Sequence, residues 1–407
     1  MRILLSAFAC SPLWGSEPGV GWRWAVQLAR DHDVTVLTHA YFQSHIEWGL
    51  AGRETCGLKF AYHRVSWLRK TFKPSYLNSR LYYLVWQIGA YYVARRLDRV
   101  TSFDLTHHLT WGSFRFPSFL GLLRVPFVFG PVGGGESAPA RLTRSLPMRE
   151  RLKEAVRDLV RISGSYDPLV WLCLWKAKLV LCRTEETRRC LPAWARRHAR
   201  IRHEIGAPPL QPTSGPAVAR KTLKLLHAGR LVGWKGAHLA LRALAKARDR
   251  GVTAHLSIAG DGPMRGYLEQ LAFELNLGGA CTFHGHLQRD AVMDLYADVD
   301  AFLFPSLHDS GGTVVLEALS RGVPVICVDL GGPPNFIDQS CGYVIPARKG
   351  TEHEVVEGLA NAITGLYLSR DLLKELSKGA LARAETMSWE RQVQRVYDDI
   401  SEALAAV

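Results

Sequence analysis

The stretch from Ala301 to Asn335 reads AFLFPSLHDSGGTVVLEALSRGVPVICVDLGGPPN. It opens with an apolar run, Ala301 to Phe304, closed by Pro305; a polar loop containing glycine follows over 306–312, and a helical run begins near Thr313. That helix has a defined stop. Arg321 lies in its last turn, Gly322 can take the left-handed conformation just past the end, and Pro324 cannot continue it. A second apolar run, 323–328, comes at once. Both runs are apolar throughout, as strands buried on two faces are, so the unit reads strand, loop, helix, parallel strand.

The loop lies where a strand ends and a helix begins, so unpaired backbone N–H groups point outward and the helix dipole favours an anion. Phosphate suits such a place. The stretch also carries two carboxylates, Asp309 in the loop and Glu317 about one turn into the helix, with seven residues between them. Carboxylates repel phosphate and, being acceptors only, suit hydroxyl groups. A ligand whose charge sits at the helix end and whose flanks carry hydroxyls, such as a sugar nucleotide, satisfies both demands.

Asp309 to Glu317, preceded by Phe304-Pro305-Ser306 and followed by Gly322-Val323-Pro324-Val325, resembles the acidic-x7-Glu signature of retaining glycosyltransferases with the GT-B fold, particularly family 4. The usual Glu-Gly-Phe-Gly is here Asp309-Ser310-Gly311-Gly312, with a shorter acid and no Phe. The resemblance implies an α/β protein of two Rossmann-like, doubly wound domains facing each other across a cleft. It also implies retaining transfer from a nucleotide-diphosphate sugar, UDP- or GDP-linked, to a glycan or lipid-linked glycan acceptor in cell-surface or exopolysaccharide synthesis. The nucleotide sugar is then a co-substrate, and neither a cofactor nor a metal ion is expected.

The chain has 407 residues, enough for two or three domains. Hydrophobic residues make up 47% and charged residues 22%, which excludes a disordered chain. Eight cysteines are scattered with no C-x-x-C pair and no histidine spacing for zinc, so reduced, buried thiols and a cytoplasmic place are expected. Charge is uneven: 31 basic against 15 acidic residues in 1–205, a balance of +16, and 20 against 22 in 206–407, a balance of −2. A basic first half suits an anionic surface, whether membrane lipid, lipid-linked diphosphate or nucleic acid. No apolar run is long enough for a membrane span. The start, MRILLSAFAC, has too short an apolar core for a signal sequence and reads as the first buried strand.

In the first half, strand 3–9 leads through the loop CSPLWGSEPGVGW into a helix predicted over 20–30 and a strand over 34–39. Gly15, Gly19 and Gly21 are not spaced as G-x-G-x-x-G, so a dinucleotide fingerprint is absent. Gly15-Ser16-Glu17-Pro18-Gly19 resembles the family's glycine-rich loop facing the cleft, which makes Gly15 and Gly19 donor-side candidates and Glu17 an acceptor-side candidate. Residues 76–99, rich in Tyr and Arg, follow Trp67, Arg69, Lys70 and Lys73 and read equally as a core helix with basic ends or as a membrane-surface patch. The latter would place the protein peripherally on the inner face of the plasma membrane. Strand 103–109 contains His107 and His108. The resemblance puts an active-site histidine near here; strand alternation sends the two to opposite faces, so one is expected in the cleft, His108 ahead of His107, and the other in the core. Trp111, Gly133 and Gly134, in the loops after this strand and the next, are further acceptor-side candidates. The 141–178 segment reads as helical and basic, and 179–182 as a strand.

A proline-rich stretch, 205–215, is the linker candidate, dividing the chain at 1–205 and 206–387, with a terminal helix over 388–407 that the resemblance sends back to the first domain. Beyond the linker, strands and helices alternate at about 30 residues per pair, the pattern of a doubly wound sheet. Gly229-Arg230 and Lys235-Gly236 match the family's phosphate-binding segment, with Arg230 as a planar fork and Lys235 as a point charge on the diphosphate. Gly260, Gly311, Gly312 and Thr313 complete the donor-side candidates with Glu317, and the catalytic candidates are His108, His107, Asp309, Arg230 and Lys235. Asp298-Val299-Asp300 looks like a metal-binding D-x-D, but it runs straight into a buried strand, which denies it loop geometry. The alternatives are a GT-B sugar-nucleotide epimerase, a phosphorylase for which no cofactor lysine stands out, and a basic nucleic-acid-binding protein for which no motif is present.

Overall fold

The computed structural model describes residues 1–52, 57–65, 80–212 and 221–405. Trp67, Arg69, Lys70 and Lys73, the first residues of the aromatic stretch (76–79) and the end of the linker candidate (213–215) lie outside the described residues. The chain divides into two compact units: Met1–Gly135 with Leu159–Ile205 and Trp389–Val407, and Glu136–Asp158 with Gly206–Ser388.

The first unit holds a seven-stranded sheet of β1 (Arg2–Ala7), β2 (Asp33–His39), β3 (Leu58–His63), β4 (Leu105–Thr110), β5 (Phe127–Val132), β6 (Leu179–Cys182) and β7 (Ala199–Ile201). Their order is β3-β2-β1-β4-β5-β6-β7, parallel at every pair. The second unit holds six parallel strands, β8 (Leu223–Ala228), β9 (Ala254–Ala259), β10 (Cys281–Gly285), β11 (Ala301–Phe304), β12 (Val325–Val328) and β13 (Gly342–Ile345), in the order β10-β9-β8-β11-β12-β13. Both are Rossmann-like doubly wound sheets. In each, the order reverses between two neighbours, β1 and β4 or β8 and β11, and ligands of such sheets bind outside the carboxyl ends of the strands at that reversal.

Central strands are apolar runs because helices cover both faces: β11 and β12 are buried at every residue, and Leu303 and Ile326 join Leu225, Leu241, Leu359 and Ile363 in one core. Each such side chain contributes about 1.5–3 kcal/mol on burial. The strands that sequence reading passes over, β3, β7 and β13, stand at or beside sheet edges, where short runs and polar residues hide the pattern.

Two expectations change. The predicted 20–30 helix is Ser16–Leu28, so Gly19 and Gly21 lie inside it rather than in a ligand loop. Pro18 falls in its first turn, where the missing N–H costs nothing. Residues 136–158, read as part of the first domain, belong to the second unit, because Leu142 and Leu146 are buried in its core and Tyr267 Oη donates to Ser145 O at 2.9 Å. The terminal helix Trp389–Ala405 packs in the first unit, where Asp399 takes Arg200 at 2.8 Å and Arg202 at 2.7 Å.

Candidate functional site

The loops after β8 and β11, at the reversal point of the second sheet, are built on each other. Leu307 N–H donates to Trp234 O at 2.8 Å, and Ser306 Oγ to the same oxygen at 3.3 Å. Gly236, at φ +76°, starts the helix Ala237–Asp249, and a Cβ there would fall inside contact distance of Pro305 O. Only glycine tolerates both the left-handed backbone and that approach. A third loop joins through Gly260, whose N–H donates to Gly285 O at 2.8 Å and whose missing Cβ leaves room for Gly229 O.

Lys235 Nζ forms an ion pair with Asp309, its partner from the other loop, and lies 4.5 Å from the Trp234 ring centre and 5.0 Å from that of Phe304. Burial pushes the Asp309 carboxyl up, but the Lys235 charge and the N–H groups of Gly311 and Gly312 outweigh it and hold the group below the usual carboxylate range. One of those N–H groups, that of Gly311, donates at 3.3 Å. Gly312 precedes the helix Thr313–Ser320, with no side chain capping it and Thr313 exposed, so this helix end still offers N–H groups. Arg230 is exposed. Glu317 is buried inside that helix, and Arg289 Nη2 donates to its Oε1 at 3.1 Å. Seven of the donor-side candidates, Gly229, Arg230, Lys235, Gly260, Gly311, Gly312 and Thr313, thus lie with the catalytic candidate Asp309 on three interlocked loops.

The D-x-D acids are engaged elsewhere. Asp298 takes Lys224 Nζ at 2.6 Å, and Asp300 accepts Lys224 N–H at 2.9 Å and faces Arg370 at 3.5 Å.

The first unit corrects the histidine expectation. His107 and His108 are both fully buried, and every ring nitrogen has a partner within that unit. His107 Nε2 meets Gly130 O at 2.6 Å and Nδ1 meets Tyr397 Oη at 3.1 Å; His108 Nε2 meets Tyr83 Oη at 3.1 Å and Nδ1 meets Ser6 Oγ at 3.2 Å. Burial lowers both, to about 4 and about 3. Alternation does send them to opposite faces of the sheet, but helices cover both faces, so neither ring reaches solvent.

Glu17, in the first turn of its helix, accepts from Arg183 Nη2 at 2.9 Å and from Gly112 N–H at 3.3 Å, while Arg183 Nε faces Glu204 at 3.0 Å. Trp111 is half-buried, stacked on Tyr83 at 5.5 Å and tilted against Phe8 at 5.0 Å. Gly133 N–H donates to Gly112 O at 2.8 Å, which ties the loop after β5 to that after β4; Gly134 follows at φ +91°. Gly15 is exposed and open around its Cα, whereas Gly19 lets the helix approach Trp14 O. These candidates share the carboxyl end of the first sheet.

Sequence reading misses Trp234, His308, Glu150, Glu154, Arg289 and Arg183. His308 is buried, stacks on Trp234 with ring centres 4.4 Å apart, and faces Glu154 at 3.0 Å. Gly233 N–H donates to Glu150 at 3.2 Å. The available signal is the four-residue spacing of the two glutamates on one helix, Met148–Ser165.

Residues 216–381 match the family model for glycosyl transferases group 1. Over 192 residues the chain is 31% identical to a D-inositol 3-phosphate glycosyltransferase of Saccharomonospora viridis, covering 45% of this chain and 43% of that protein. Over 168 residues it is 32% identical to a GDP-mannose-dependent alpha-(1-6)-phosphatidylinositol dimannoside mannosyltransferase of Mycobacterium tuberculosis, covering 41% of each. The matches span less than half the length of these curated relatives. Among solved structures, HepE of Anabaena in complex with UDP superposes over 99% of this chain and 100% of its own, with a TM-score of 0.61 at 16% identity, a likeness of fold.

Proposed function

We propose that this chain, whose residues 216–381 match the family model for glycosyl transferases group 1 and whose two sheets have the GT-B fold, is a glycosyltransferase carrying out retaining transfer of a sugar from a UDP- or GDP-sugar to a glycan or lipid-linked glycan acceptor of the cell surface. The observation that carries this reading is the meeting of Lys235 and Asp309, from two loops at the reversal point of the second sheet, beside an uncapped helix start. A cation for the departing diphosphate and an acid for sugar hydroxyls stand side by side, as a nucleotide-diphosphate sugar requires.

In this reading Arg230 and Lys235 stabilise the charge that develops on the diphosphate in the transition state. Glu317 accepts hydrogen bonds from the ribose, while Asp309 and the Gly311-Gly312 backbone hold the sugar. No side chain acts as nucleophile: the leaving phosphate oxygen takes the acceptor's proton on the same face, so positioning and electrostatics carry the reaction. His107 and His108 shape the end of β4. Glu17, Trp111, Gly133 and Gly134, at the carboxyl end of the first sheet, meet the acceptor.

An anionic membrane surface is proposed as a partner of the first unit. Leu159, Ile162, Tyr166, Trp171 and Trp175 stand exposed there, Lys176 Nζ lies 4.5 Å from the Trp175 ring centre, and Arg95 and Arg96 are exposed on the helix Arg80–Thr101. Among the described residues no helix is long and apolar enough to cross a membrane.

The test is a thermal-shift panel of UDP, GDP, ADP and CMP, then their sugars, on the wild type and on the Arg230→Ala, Lys235→Ala double variant. A ligand at about 100 times its Kd stabilises by about 2.7 kcal/mol. One nucleoside diphosphate shifting the wild type alone supports the donor site. No shift with any of them, and a shift with nucleic acid, would sink it.

A further inference from the structure

Two carboxylates outside the site as described face its two loops from a single helix. Glu150 and Glu154 lie one turn apart on Met148–Ser165 and so share a face. Their side chains are only 7% and 13% exposed, and an ionised carboxylate is unfavourable in such a place unless it is paired. The partners are specific. Glu150 accepts Gly233 N–H at 3.2 Å and Lys153 Nζ at 2.5 Å; Glu154 Oε2 faces His308 Nε2 at 3.0 Å.

Gly233 opens the turn that carries Lys235, and His308 is the residue before Asp309. Between these two contacts the Trp234 and His308 rings stack, and the Arg157 guanidinium lies against His308 and 6.0 Å from the Trp234 ring centre. The helix thus grips each loop within two residues of the group that meets the ligand. Both loops are rich in glycine, and a displacement of about 1 Å at a reacting centre can cost about a hundredfold in rate.

We infer that Glu150 and Glu154 are positioning residues of the donor site, holding the two loops in the register at which Lys235 and Asp309 meet. Neither touches the ligand. The assignment rests on the proposed reading of that pair as the diphosphate and sugar site, and it adds a specific mechanism: the carboxylate acts through His308, so what matters at position 154 is a hydrogen-bond acceptor, not bulk.

The experiment is titration calorimetry of the full chain with UDP, GDP, ADP and CDP, on the wild type, Glu154→Gln, Glu154→Met, His308→Phe and the Glu154→Met, His308→Phe double variant, with melting temperatures measured alongside. Glutamine keeps an oxygen that accepts from His308 and should bind the preferred diphosphate within about threefold of the wild type, whereas methionine keeps the volume alone and should weaken binding about tenfold, or about 1.4 kcal/mol. The double variant should bind no more weakly than the weaker single one, because both break the same contact. Wild-type affinity in Glu154→Met, or simple addition of the two single losses, overturns the assignment while leaving the donor site standing. If the wild type binds no nucleoside diphosphate, the donor reading falls, and this assignment with it. Should Glu154→Met melt below the assay temperature, Glu150→Leu against Glu150→Gln asks the same question at Gly233, with the same split expected.

Discussion

Replacing Lys235 with alanine should cost the second unit about 3 kcal/mol at pH 7. The side chains of Lys235 and Asp309 are 13% and 16% exposed, nearer the buried than the surface limit. Removing one partner of a buried pair costs about 3–5 kcal/mol, an exposed pair about 0–1. Asp309 would keep its Gly311 N–H, which brings the ionic part to about 2 kcal/mol. Loss of the cation from the Trp234 and Phe304 faces adds about 0.5–1 kcal/mol. For a unit of this size about 3 kcal/mol corresponds to a fall in Tm of about 6–12 °C, readable by scanning calorimetry. The pH dependence carries a sign. Asp309 titrates low in the wild type because Lys235 outweighs burial, so its contribution is present above the unfolded Asp value of about 3.9 and is lost as pH falls through the folded value. Without Lys235, burial prevails and the charged form becomes the liability, so the gap between variant and wild type should narrow as pH drops through the carboxylate range. Adding Asp309→Asn should restore about 1 kcal/mol at pH 7. A cost below about 0.5 kcal/mol, or a double variant less stable than Lys235→Ala, would refute the pairing argument.

Glu317→Ala should abolish sugar transfer while the protein still melts in one cooperative transition, because the Arg289 it frees is 55% exposed and is solvated rather than left as a buried charge; near-wild-type turnover would remove Glu317 from the donor site. Acid should destabilise the fold before carboxylates titrate: His107, His108, His227 and His238 are buried neutral, with burial lowering them to about 4, 3, 4 and 3. Each contributes stability that is present above about 6.5 and lost as pH falls towards the folded value, so Tm should drop between pH 6.5 and 4, less steeply in His107→Gln; an unchanged slope would count against it. Vesicles containing anionic lipid should retain the protein at low salt and release it at high salt, with Trp171→Ala, Trp175→Ala weakening retention; salt-independent retention would contradict the surface proposed for the first unit.

How much was legible follows the range of the forces involved. The strand, loop and helix of 301–335 are local: apolar runs, a glycine stop and proline punctuation act within a few residues, and β11 and the helix Thr313–Ser320 begin where sequence reading places them. The alternation beyond the linker likewise marked β8 to β12, hence a parallel sheet and a ligand end. What sequence could not reach are contacts set by packing across many residues. Lys235 and Asp309 are 74 positions apart, and nothing in either loop says that the cation of one will rest on the acid of the other. The His107 and His108 pair looked like one core and one site residue; only the cover of helices on both faces of β4 decided that both are core. Residues 136–158 joined the second unit because Leu142 and Leu146 found their core there, and that choice brought Glu150 and Glu154 onto the loops that carry Lys235 and Asp309. Local pattern by itself determined most of the elements, the fold class and the place of the loops that follow β8 and β11, since hydrophobic period and turn chemistry are written residue by residue. Which charges neutralise one another and which histidines lose their water were decided by the tertiary structure, because burial is a property of everything packed around a residue and not of its neighbours in the chain.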